Sequence, residues 1–105
     1  MTTVTYANTE LLVDPEGFLA DPSQWSEAIA AAIAAEVGIP ELSDRQWEVV
    51  RFMRQEFQSK GEAPNVRALA KSSGVPIKEL YQLFPKGPAK LAARIAGVPK
   101  PRGCI

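Results

Sequence analysis

Glycine and proline divide this chain into segments of hairpin and short-helix length, and that punctuation sets the fold before any other feature is read. Asp14-Pro15-Glu16-Gly17 spells a turn, Gly38 and Pro40 close one segment, Gly61 closes another and Gly74 interrupts a third. Pro88 opens the last periodic stretch, and Gly97, Pro99 and Pro101 follow it. Residues 3–13 are rich in β-branched and aromatic side chains with Asn8 near the middle, which predicts a hairpin. Asp21 as N-cap and Pro22 at the first position predict a helix over 22–37, with Trp25, Ile29, Ala32, Ile33 and Val37 on one stripe. Ser43 and Gln46 form a capping-box pattern ahead of a helix over 43–60, where Trp47, Val50, Met53, Arg54 and Phe57 recur at spacings of three and four. Helices over 65–73 and 76–83 flank Gly74 as a helix-turn-helix, with Val75 and Leu80 inward and Ala70 small at the crossing. A last helix over 88–96 places Leu91, Ala92 and Ile95 inward. The expected class is α+β and mostly helical: one domain over 1–96, then an extended arm over 97–105 whose prolines exclude helix.

A chain of 105 residues, 46 % of them hydrophobic, can bury one core. Its net charge of zero conceals a division. Residues 1–59 carry three basic against ten acidic side chains, a formal −7, and residues 60–105 carry nine against two, a formal +7. Such asymmetry points either to an anionic partner for the basic half or to attraction between the halves within the fold. No N-terminal signal pattern is visible, and the most apolar window, Ala28–Ala35, is far shorter than the ~20 residues a bilayer span needs. A cytoplasmic protein without membrane contact is expected.

The reactive groups narrow the chemistry further. There is no histidine, which removes Ser-His-Asp and Cys-His catalysis. The single cysteine, Cys104, forms no internal disulfide and no four-ligand zinc site, so neither metal nor cofactor is expected. Cys104 is penultimate, follows Gly103, and lies near Arg94, Lys100 and Arg102 with no carboxylate side chain among residues 80–105. Nearby positive charge favours thiolate, and the terminal carboxylate of Ile105 opposes it. An arm of about eight residues fully extended spans roughly 26–29 Å. On the residues alone two readings stay open: a carrier thiol presented to a partner's site, or an incidental surface cysteine. A lone thiol has no base and no resolving cysteine, so the chemistry open to it is to accept a sulfur atom as a persulfide and pass it on.

The run Leu83-Phe84-Pro85-Lys86-Gly87-Pro88-Ala89-Lys90, then Ile95-Ala96-Gly97-Val98-Pro99-Lys100-Pro101 and Cys104 before a last aliphatic residue, closely resembles the DsrC/TusE family of sulfur-carrier proteins. Asp14-Pro15-Glu16-Gly17-Phe18-Leu19, Gln24-Trp25-Ser26-Glu27 and Trp47-Glu48-Val49-Val50-Arg51-Phe52 extend the match over nearly the whole chain. The resemblance implies a β-hairpin plus a helical bundle with a helix-turn-helix and a flexible C-terminal arm, and it implies that Cys104 carries the sulfur. Members that work with dissimilatory sulfite reductase have a second arm cysteine eleven positions before the penultimate one; here that position is Ala93. This favours the single-cysteine branch, which resembles the relay for 2-thiolation of the tRNA wobble uridine. There a TusBCD-like complex is the donor and a thiouridylase bound to tRNA the acceptor, so tRNA is met only indirectly. Two smaller departures are a shorter stretch between Ala70 and Tyr81 and Gln46 in place of a histidine.

The chain then reads as a sulfurtransferase-type carrier rather than a stand-alone catalyst, with Lys86, Lys90, Arg94, Lys100 and Arg102 expected as docking and thiolate-stabilising contacts. Two alternatives remain. One is a gamma-subunit-like partner of sulfite reductase or of sulfur-oxidation enzymes. The other is a DNA-binding regulator using residues 66–84, although a second helix beginning Pro76-Ile77-Lys78-Glu79 offers few base-reading groups.

Overall fold

The computed structural model describes residues 1–101. Two antiparallel strands, β1 (Thr2–Tyr6) and β2 (Thr9–Val13), pair from Thr2 opposite Val13 to Tyr6 opposite Thr9. Ala7 and Asn8 close the hairpin with φ of 51° and 62°, the left-handed conformation that two-residue hairpin turns require. Tyr6, Leu11 and Val13 face the core while Leu12 points out. In the following turn the Asp14 carboxylate accepts from the Glu16 and Phe18 amides at 2.9 and 3.0 Å, which turns Phe18 and Leu19 inward.

The helix expected over 22–37 is two pieces. Asp21 caps only a 3-10 turn, Pro22–Gln24, and Trp25 then adopts an extended backbone with ψ of 145°. Ser26 begins again as N-cap, accepting from the Ile29 amide at 3.2 Å, and α1 runs Glu27–Glu36. The break turns the Trp25 side chain away from the α1 stripe, toward the end of the last helix. Ile29, Ala30, Ile33 and Ala34 form the buried face of α1.

Helix α2 (Asp44–Lys60) carries the capping box as read from the sequence, with Ser43 and Gln46 bonded reciprocally. The Gln46 side chain also donates to the Leu83 carbonyl at 2.7 Å. One amide thus holds the start of α2 and the end of a later helix. Helices α3 (Val66–Ser73) and α4 (Ile77–Leu83) meet at Gly74 and bury Leu69, Val75 and Leu80, the expected helix-turn-helix arrangement. Helix α5 (Pro88–Ile95) lies against α1, α2, α3 and α4. Ala89, Ala92 and Ala93 on it, and Ala96 just past it, are fully buried or nearly so, and their small side chains let the neighbouring helices approach closely. Small N-terminal hairpin, helical bundle and helix-turn-helix all match the expected class.

Because Gln46 serves both the box and Leu83, Gln46→Ala is expected to cost about 2 kcal/mol and Ser43→Ala about 1 kcal/mol, in urea unfolding at unchanged m. Equal midpoints for the two variants would show that the Leu83 bond contributes nothing.

Candidate functional site at the end of α5

The last turn of α5 is where the body hands over to the segment that bears Cys104. A helix end leaves carbonyls without partners, and here each one is supplied. The Ala96 amide donates to Ala92 at 2.8 Å, Gly97 to Arg94 at 3.2 Å and Val98 to Ala93 at 3.1 Å, a Schellman closure with Gly97 at φ of 69°. The Ile95 carbonyl accepts from the Trp25 indole nitrogen at 2.8 Å, and the Ala96 carbonyl from Arg54 Nη1, also at 2.8 Å. Arg54 in turn lies over the Trp25 ring, 4.3 Å from its centroid, and reaches the Pro22 carbonyl at 3.3 Å. Burial holds the Arg54 guanidinium below the usual arginine range, and it remains a cation at the negative end of α5. A Cβ on residue 97 would come within 2.5 Å of the Trp25 ring. Position 97 therefore needs glycine twice over, for its left-handed backbone and for this contact.

Beyond Gly97 the chain does not leave the surface at once, as an exposed arm would. Val98 is fully buried and Pro101 is buried, with Pro99 and Lys100 exposed between them. Val98 occupies the position after the Schellman glycine, where an apolar side chain packs back on the helix. Arg102 and Cys104 lie outside the described residues.

The expected docking cations divide. Lys90 and Lys100 both reach Glu16, at 3.2 and 3.0 Å. The bond from Lys100 first, then that from Lys90, holds the Glu16 carboxyl below its ordinary value. Arg94 pairs with Glu36 at 3.5 Å and lies flat against Gly17, where a Cβ would meet its guanidinium at 2.7 Å. Glu36 also accepts from the Tyr6 hydroxyl. These three cations are thus ion-paired with two carboxylates of the acidic half of the same chain. Lys86 is exposed and, among the described residues, makes no ion pair. Ala93 is a helix residue of α5 with no exposure rather than part of an arm.

Trp25 and Arg54 were not among the sequence candidates. One signal was available: Arg54 is a cation on an otherwise apolar stripe of α2, a position that calls for a buried partner. No three His, Cys, Asp or Glu side chains gather as a metal site among the described residues. Nor is any helix there long and apolar enough to cross a membrane.

The profile of the family described as DsrC like protein matches residues 5–105. The chain belongs to that family. "Sulfurtransferase TusE" of Salmonella typhimurium is 48 % identical over 107 residues, covering 95 % of this chain and 97 % of the relative. Among solved structures, DsrC of Allochromatium vinosum superposes with a TM-score of 0.86 at 36 % identity over 98 % of this chain and 97 % of that one. The oxidized gamma-subunit of the dissimilatory sulfite reductase (DsrC) from Archaeoglobus fulgidus does so with 0.83 at 37 % identity, over 99 % of this chain and 100 % of that one. The DsrC-like fold is therefore shared across the described residues.

Two outcomes check this site. Trp25→Phe keeps a ring under Arg54 but orphans the Ile95 carbonyl, so a loss of about 1–3 kcal/mol is expected in urea unfolding, with faster hydrogen exchange at the Gly97 and Val98 amides. Unchanged exchange there would mean that the indole bond does not hold the α5 end. The Glu16 tie is in place at neutral pH. Since its folded pKa lies below the unfolded one, the tie persists as pH falls through the ordinary carboxylate range and is lost only as pH falls through the folded value. A carboxyl-carbon NMR titration of Glu16 should therefore show a midpoint below that of the same residue in a Lys90→Met/Lys100→Met variant.

Proposed function

We propose that this protein is a sulfur carrier of the TusE type, accepting persulfide sulfur on Cys104 and relaying it in 2-thiolation of the tRNA wobble uridine. The observation that carries this reading is near-half identity to "Sulfurtransferase TusE" along almost the whole of both chains, joined to a single, penultimate cysteine.

The chemistry asks little of the carrier. The Cys104 thiolate attacks the outer sulfur of a donor persulfide, R–S–SH. A new S–S bond forms, the donor S–S bond breaks, and R–S⁻ leaves with the electron pair. Cys104 then carries –S–SH. An acceptor thiolate repeats the displacement on that outer sulfur and returns the Cys104 thiolate. No net oxidation occurs, and no base, metal or second thiol is required. Arg102 and Lys100 beside Cys104 in sequence favour its thiolate, with Lys100 already engaged by Glu16. A TusBCD-like donor, a tRNA-bound thiouridylase as acceptor and a cytoplasmic setting complete the reading.

A gamma-subunit-like role beside sulfite reductase is favoured less. The relatives named for that enzyme are more distant, and Ala93 removes the second thiol that the resemblance implies for such members. The DNA-binding reading draws no support from the relatives, and the outward face of α4, with Ile77, Lys78, Tyr81 and Gln82, has few base-reading groups.

Incubation with glutathione persulfide followed by intact mass is expected to add about 32 Da, one sulfur atom, to the wild type and nothing to Cys104→Ser. A wild-type chain that gains no sulfur from any persulfide donor would overturn the assignment.

A further inference from the structure

Lys90, Arg94 and Lys100 are ion-paired to Glu16 and Glu36, and the cations of the basic half that have no ion pair among the described residues lie elsewhere. Arg67 and Lys71 on α3, Lys78 on α4 and Lys86 just after it are exposed, and among the described residues none of the four makes an ion pair. The one carboxylate between residues 63 and 101, Glu79, is held by Arg45 at 2.8 Å. Amid these cations are two of the large apolar side chains the fold leaves in water: Ile77, 41 % exposed, and Tyr81, 51 % exposed. They stand one helical turn apart on the same face of α4. Exposed Pro76 and Gln82 adjoin them in sequence. An apolar pair with a tyrosine, rimmed by unpaired lysines, has the composition of an interface anchor.

We propose that this face of α4, Ile77 and Tyr81 framed by Lys78 and Lys86, is the docking surface for an acidic face of the protein that loads Cys104 with sulfur. The assignment rests on the carrier reading above and deepens it by naming where the donor sits. The cations select an anionic partner by charge complementarity. The branched chain of Ile77 is stabilised by burial against apolar protein, not against phosphate, which favours a protein over a nucleic acid. An acceptor that holds tRNA must present cations to a polyanion, and a cationic face meets it with like charge. The donor is under no such constraint. Helix α4 packs on α5, the helix that precedes the Cys104 segment in the chain. The molecule measures 35 Å in its longest direction, while an ordinary interface of about 800 Å² per partner is roughly 30 Å across.

The test compares two sulfur sources on the full chain. With ³⁵S-persulfidated TusBCD-like complex as donor, Ile77→Ser/Tyr81→Ser is expected to raise KM at least tenfold with kcat little changed. Lys78→Glu/Lys86→Glu should lower kcat/KM by a similar factor and flatten its dependence on salt. With glutathione persulfide, both variants should load Cys104 at the wild-type rate, and an unchanged urea-unfolding midpoint shows that they fold. Wild-type KM for the protein donor in both variants would overturn the proposal. So would a defect confined to transfer onto tRNA-bound acceptor, which would assign the face to the acceptor or to tRNA. Failure of the wild type to gain sulfur from either the protein donor or glutathione persulfide would instead remove the Cys104 reading, so the two failures are distinguishable.

Discussion

A helix of two turns can be packed against four others only if its buried ends find hydrogen-bond partners inside the protein, and at α5 that requirement organises much of the rest. The carbonyls of Ile95 and Ala96 cannot reach water as a surface helix end would, so an indole and a guanidinium are brought to them. To deliver the indole, the segment after Asp21 breaks at Trp25 and restarts at Ser26. To deliver the guanidinium, α2 carries arginine on its inner stripe, and the ring of Trp25 shields it in place of a carboxylate. The hairpin and its following turn add Glu16 and Gly17 to the same end of the molecule. Three regions distant in sequence thus converge on one helix terminus.

What could be read from the residues is what local chemistry decides. Ser43 with Gln46, the Gly74 turn and the Pro88 start each form where their own neighbours dictate, and the structure has them there. What escaped was set by distant partners. Asp21-Pro22 is a sound helix start, but continuing through Trp25 would have cost the Ile95 bond, and nothing within the segment records that carbonyl. The prolines after Gly97 do exclude helix, yet exclusion of helix says nothing about burial, and Val98 packs back beneath the Schellman turn. Glycine followed by an apolar residue was the available signal. Gln46 illustrates the other side of the same point: its box role was legible, its bond to Leu83 was not.

The opposed charges of the two halves have a double use. Part of the asymmetry is internal, since Glu16 and Glu36 bind Lys90, Lys100 and Arg94 around the α5 end. These are partly exposed contacts, and each adds little to stability. Their larger effect is on the surface field: two carboxylates offset most of the charge of three cations at the α5 end and leave the cations of α3 and α4 to act outward. The distribution of paired and unpaired lysines, rather than the total, decides where an anionic partner is drawn.

The burial of Pro101 sets a length. Cys104 stands three positions further on, and three extended residues cover no more than about 10–11 Å. Measured from Gly97, the same thiol would sweep more than twice that distance. While Pro101 stays seated, the tether is a short gauge rather than a long line, and a carrier working from it would serve only a partner site close to its own surface. On the carrier reading, a deeper site would first have to draw Pro101 out of its burial. For a carrier working from that thiol, the seating of Pro101 would set a threshold for delivery, and depth of insertion would be coupled to how firmly a partner grips the body.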